Sequence, residues 1–157
     1  MNDQLINQIH QLLIVVLKFK YPTDKLLSNF FREHKQLGRH NRYIVAETIY
    51  TILRNYFKLS HQFGNNHVNF IKFTWLNLLK PEDFSQKEIP KINFDEVKSV
   101  SINSFNQNIS EFPDWIYNKL IIQMPQNEVA RLSLALEKPA PLDLRVNLIK
   151  TNLKTVF

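Results

Sequence analysis

Residues 3–18 read DQLINQIHQLLIVVLK, and this stretch sets the class of the fold. Leu5, Ile9, Leu12 and Val16 recur at intervals of three or four residues, which is the spacing of one face of an α-helix. The pattern predicts an amphipathic first helix over residues 3–18. Because a lone helix of this length is marginal in water, its apolar face needs other elements packed against it.

The same helical period continues along most of the chain. It predicts helices over residues 22–38, 39–56 and 67–79, and two more that begin at Pro113 and Pro125. Together they favour an all-α bundle over residues 3–137, within a helical domain of residues 1–137. Residues 82–105 are weakly periodic and are expected to be mostly irregular. The predicted core comprises Leu12, Phe30, Ile49, Leu53, Trp115 and Leu132.

The pattern changes at Pro139. Leu142, Leu144 and Val146 alternate with polar residues, which is typical of a half-buried β-strand. A single strand cannot form a sheet, so residues 138–157 are expected to begin a second, truncated α+β domain of a longer protein.

Composition excludes several kinds of site. Two glycines in 157 residues cannot build a glycine-rich phosphate loop, and the absence of cysteine excludes disulfides, thiolate zinc sites and cysteine nucleophiles. The five histidines have no metal-ligand spacing, and no carboxylate pair is arranged for acid–base catalysis. The longest apolar run, residues 12–17, is far shorter than the roughly 20 residues of a membrane span, so a cytoplasmic location is expected.

The positive charge of the chain is concentrated in its first third. Residues 1–60 carry nine Lys or Arg against four Asp or Glu, residues 61–110 carry five against five, and residues 111–157 six against five. A localised basic surface attracts polyanions through counterion release. Nucleic acid is therefore the expected class of partner.

The cations gather at one predicted turn between two helices, which we call the basic corner: Arg32, Lys35, Arg39, His40 and Arg42. One interpretation is a surface that contacts RNA phosphates, and the alternative is a solvated turn whose charges keep the protein soluble. Arg42 lies seven residues before Ile49, on the apolar face of its helix. It is therefore a candidate either for RNA contact or for an internal hydrogen bond.

Three stretches resemble the NusB-like N-terminal region of the Sun/RsmB family of small-subunit ribosomal RNA cytosine-5 methyltransferases. The first is PTDKLLSNFFREHKQLG at residues 22–38, and the second is RYIVAETIYTILR at residues 42–54. The third combines FPDW at residues 112–115 with PAPLDLRVN at residues 139–147. The chain departs from the family at Asn41, where an Asp is usual, and at Thr51, where a Gly is usual.

The resemblance implies a NusB-like bundle that positions ribosomal RNA for methylation. The catalytic domain of the family, with its S-adenosylmethionine site and two catalytic cysteines, would follow this chain, so these residues should be inactive alone. Arg145, in the LDLRVN string, is a further candidate for contact with RNA or with the neighbouring domain. A free-standing NusB-like antitermination module and a helical protein-interaction domain remain alternative interpretations.

Overall fold

A computed structural model describes residues 2–79, 95–100 and 110–138. These ranges are helical and contain no β-strand, which confirms the all-α class for this part of the chain. The predicted strand over residues 142–146, Arg145 and most of residues 82–105 lie outside the described residues. The helices are α1 Asn2–Val16, α2 Thr23–Glu33, α3 Arg39–Arg54, α4 Tyr56–Phe63, α5 His67–Phe73, α6 Asp95–Lys98, α7 Asp114–Gln123 and α8 Gln126–Leu136.

The core lies where α1, α3 and α5 pack together, with α2 against α1. Ile9 and Leu13 of α1 and Ile49 of α3 are completely buried. Their burial agrees with the predicted helical spacing. Burying each such side chain stabilises the fold by roughly 1.5–3 kcal/mol. The apolar run of α1 is wider than this face, since Ile14 and Val15 remain exposed.

A buried hydrogen-bond chain joins α3 to the segment after α5. The Trp75 indole N–H donates to Thr48 Oγ1 at 2.7 Å, and the Thr48 hydroxyl donates to the Ile44 carbonyl at 2.6 Å. A buried Trp N–H needs such an acceptor. The predicted helix over residues 67–79 is confirmed in position, but its second half, Thr74–Leu78, is wound as a π-helix that carries Trp75.

Three prolines precede the helices they were expected to start. Pro22, Pro113 and Pro125 occupy the N-cap positions of α2, α7 and α8, each with φ between −54° and −58° and an extended ψ. Gly38 does not end α2 as predicted. That helix ends at Glu33, and Gly38, with φ of −65°, is instead the N-cap of α3.

The predicted core is partly wrong. Leu12, Phe30 and Ile49 are buried as expected, whereas Leu53 and Leu132 are only half-buried. Trp115 is 65% exposed, and α7 buries none of its residues. The predicted helix is confirmed, but its apolar stripe is only partly covered, since Ile116 and Leu120 are half-buried while Trp115 and Ile121 are exposed.

Three charged residues connect the C-terminal helices α7 and α8 to the main bundle, and we call them the ionic cluster: Lys58, Glu111 and Glu137. The Lys58 ammonium is buried and forms an ion pair with Glu137. The Glu111 carboxylate accepts the backbone N–H groups of Phe57 at 2.9 Å and Lys58 at 3.0 Å. It thereby caps the first turn of α4 from 53 residues away.

Candidate RNA-binding surface

The basic corner is built on a short turn between α2 and α3. The His34 ring stacks on Phe30, with centroids 4.0 Å apart, and its Nδ1 lies 2.9 Å from the Phe30 carbonyl oxygen. Leu37 is buried, and its N–H donates to the His34 carbonyl. These contacts fix the side of the turn that faces the bundle, so most polar side chains between residues 32 and 40 face solvent.

Arg42 holds this turn together from within. Its Nε donates to the Leu37 carbonyl at 2.9 Å, and its guanidinium lies 5.6 Å from the centroid of the Phe31 ring. Arg42 is half-buried. Of the two roles open to it, the structure shows the internal hydrogen bond.

The other four members of the basic corner, Arg32, Lys35, Arg39 and His40, are exposed. Within the described residues, Arg32, Lys35 and Arg39 form no ion pair. The first turn of α3 contains no acidic residue and has no side-chain N-cap. Cations at a helix N-terminus are repelled by the uncapped N–H groups and by the positive end of the helix dipole. An anion bound between them would offset this repulsion.

Three further cations extend this surface, and sequence reasoning did not include them. Lys18, Lys20 and Lys25 are exposed, and they too form no ion pair among the described residues. Lys18 and Lys20 alternate with Phe19 and Tyr21 between α1 and α2. This basic and aromatic alternation was the available signal in the sequence.

The remaining cations of the first sixty residues are used internally. Arg42 binds the turn, Lys58 belongs to the ionic cluster, and Arg54 donates to Thr51 Oγ1 at 3.0 Å and lies 3.9 Å from Glu47. Six of the nine cations are therefore exposed and form no ion pair with any described residue, and all six lie between residues 18 and 39. Thr51, which stands where a Gly is usual in the family, supplies the acceptor for Arg54.

The exposed acids of this segment lie beside the cations rather than among them. On α2, Lys25 and Arg32 are separated by two helical turns and differ by about 20° around the axis. Asp24 and Glu33 lie about 90° to either side of them. The middle of the exposed face of α2 is therefore positive.

Histidine chemistry gives no separate site. His10 of α1 and His67 of α5 meet with ring centroids 6.1 Å apart, and burial, followed by the charge of His10, lowers the pKa of His67. No group of three or more metal-ligating side chains occurs within the described ranges.

A separate cation–aromatic contact lies on α7, where the Lys119 ammonium is 5.6 Å from the centroid of the exposed Trp115 ring.

Every helix within the described ranges is too short or too polar to span a bilayer. Comparison of the chain with protein-family models, with characterised proteins and with solved structures gives no match.

Proposed function

We propose that this chain is an RNA-binding domain that holds ribosomal RNA through the phosphate contacts of its basic corner. The observation that carries the proposal is the set of six exposed cations between residues 18 and 39 that form no ion pair within the described part of the chain. A monomeric protein gains little stability from exposed charges, and their mutual repulsion opposes folding. A polyanionic partner would replace the repulsion between these cations with attraction to its phosphates.

Contacts of this kind supply affinity and register rather than sequence recognition. Arg32, Lys35 and Arg39 lie in or directly beside one turn that is fixed by Leu37 and Arg42, so their backbone positions are set before RNA binds. Cations on a fixed turn require less ordering of the backbone on binding than cations on a mobile segment.

The motifs of the sequence extend the proposal to a larger protein. Their resemblance to the Sun/RsmB family supports a NusB-like bundle that positions RNA for a cytosine-5 methyltransferase. Methyl transfer and the binding of S-adenosylmethionine would then belong to a catalytic domain outside these residues. Arg145, on the predicted strand, is a candidate for contact with RNA or with that domain.

A titration of the chain with ribosomal RNA fragments at several salt concentrations tests the proposal. Each phosphate contact contributes about 0.7 to 0.9 to the slope of log affinity against log salt, so we expect a slope of several units. Lys119→Gln is a suitable control, because it removes an exposed cation outside the basic corner. Absence of RNA binding, or a binding constant insensitive to salt, contradicts the proposal.

A protein-interaction domain is the second candidate. It is favoured by the exposed apolar side chains of α7 and α8, among which Trp115, Ile122 and Leu136 are 65%, 84% and 61% exposed. Apolar surface of this extent is typical of a contact with another protein or domain. Such a contact would be only weakly sensitive to salt, so the same titration separates the two functions.

A further inference from the structure

The loop between α1 and α2 presents an aromatic ring in an unusual backbone conformation. Phe19 has a φ of 51° and is 63% exposed. The left-handed region suits Gly or Asn, whereas a bulky side chain rarely occupies it. Stability alone therefore favours a different residue at this position, and burial of the ring does not compensate.

The ring is nevertheless held in place. Phe19 meets Tyr56 of α4 edge to face, with centroids 5.7 Å apart and an interplanar angle of 79°. Its N–H donates to the Val16 carbonyl at 3.0 Å. The loop thus presents a fixed, largely exposed aromatic surface with the exposed Lys18 and Lys20 on either side of it in sequence.

This loop and the basic corner lie at opposite ends of α2. The helix has eleven residues and is therefore about 16 Å long. Lys25 lies in the first turn of α2 and Arg32, a member of the basic corner, lies in the last turn, both in the middle of the exposed face. The exposed cations of this surface therefore lie before α2, on its exposed face and after it.

We propose that unpaired RNA binds along this surface, with one base stacked on Phe19 and the phosphates following α2 past Lys25 and Arg32 to the basic corner. The inference rests on the proposed function and deepens it, since it specifies single-stranded RNA as the ligand. An exposed ring flanked by cations matches the two parts of a nucleotide, a flat base and a phosphate on each side of it. Duplex RNA offers the phosphates but keeps its bases stacked inside the helix.

The test compares an unstructured RNA of about 12 nucleotides, within the site sizes of single-strand binding proteins, with a duplex of the same length. Phe19→Asn removes the ring while suiting the left-handed backbone, so the fold is preserved. We expect it to weaken binding of the unpaired RNA about 5- to 150-fold, the effect of losing one base stack, and to leave duplex binding unchanged. The salt slope should not change, because stacking releases no counterions.

Two further variants complete the test. Phe19→Trp keeps a stacking surface and should retain the affinity for unpaired RNA. Ile122→Asn is the control, since it removes an apolar side chain of α7 that is 84% exposed and should leave RNA affinity unchanged. If Phe19→Asn leaves single-strand affinity unchanged while Lys35→Ala with Arg39→Ala lowers it, the stacking site is wrong and the proposed function stands. If neither variant changes RNA binding, both are wrong. If Phe19→Asn weakens binding only to vesicles containing phosphatidylserine, the loop contacts lipid and the inference is overturned.

Discussion

Lys35 and Lys58 belong to the same basic third of the sequence, yet the structure places them in opposite environments. Lys35 lies in the basic corner, exposed and without an ion-pair partner in the described part of the chain. Lys58 lies in the ionic cluster, where its side chain is 1% exposed and paired with Glu137. A count of charges treats the two alike, but only the first is available to a ligand.

The two regions also differ in what their charges do for the fold. A buried ammonium loses its hydration, and only well-placed counter-charges offset that loss. The ionic cluster supplies them through Glu137 and Glu111, and it fastens α8 to α4 as a result. Arg32, Lys35 and Arg39 of the basic corner form no ion pair with any described residue, so removal of their charges should alter binding rather than folding.

The largest expected effect is on stability, at Lys58. Lys58→Met leaves Glu137 without its counter-charge and should lower the free energy of unfolding by roughly 3 kcal/mol, the low end for a broken buried pair. The low end applies because the Glu137 side chain is 14% exposed, so water can partly solvate its charge. Urea denaturation measures the loss. Adding Glu137→Leu should restore part of it, and a double variant no more stable than the single one would contradict the pairing.

A matched pair of arginine variants gives the next largest effect. Arg42→Gln removes the hydrogen bond to Leu37 and should cost about 1 kcal/mol, whereas Arg32→Gln, at an exposed position, should change stability by less than about 0.5 kcal/mol. The RNA salt slope should respond in the opposite way. It should fall by about 0.7 to 0.9 for Arg32→Gln and remain unchanged for Arg42→Gln. A lower slope for Arg42→Gln would show that Arg42 contacts an RNA phosphate.

A smaller effect is expected from the protonation of Glu111. Burial raises the pKa of this carboxyl, although the N–H groups of Lys58 and Phe57 and the charge of Lys58 act in the opposite direction. The folded state then holds the proton more tightly than the unfolded state, so the contribution of Glu111 to stability is lost as pH rises above 4.5. The stability of the protein relative to Glu111→Gln should therefore decrease between pH 4.5 and 7. An increase across that range, measured by urea denaturation, would show that the pKa is lowered instead.

The positions of the helices could be predicted from the sequence because they depend on local spacing. Ile9, Leu13 and Ile49 recur on helical faces, and the prolines before α2, α7 and α8 mark where helices begin. The π-helix of Thr74–Leu78 has no such signal, since apolar spacing does not distinguish a π turn from an α turn.

The environment of a side chain could be predicted less well, because it depends on distant partners. Trp115 lies on a periodic apolar stripe but is exposed, since spacing alone does not say whether a face is covered. Lys58 is buried by partners 53 and 79 residues away. The position of Arg42 on the apolar face predicts either RNA contact or an internal hydrogen bond, and the structure shows the hydrogen bond to Leu37.

We propose that Arg32, Lys35 and Arg39 bind RNA through charges that form no ion pair with any described residue and that contribute little to the fold. The most direct test is the double variant Lys35→Ala with Arg39→Ala, studied by RNA titration across salt concentrations and by thermal unfolding. We expect weaker binding to many RNA sequences alike, a slope smaller by about 1.4 to 1.8 for the two lost contacts, and nearly unchanged thermal stability. Unchanged affinity and slope in a folded double variant would contradict the claim, and the basic corner would be only a solvated turn.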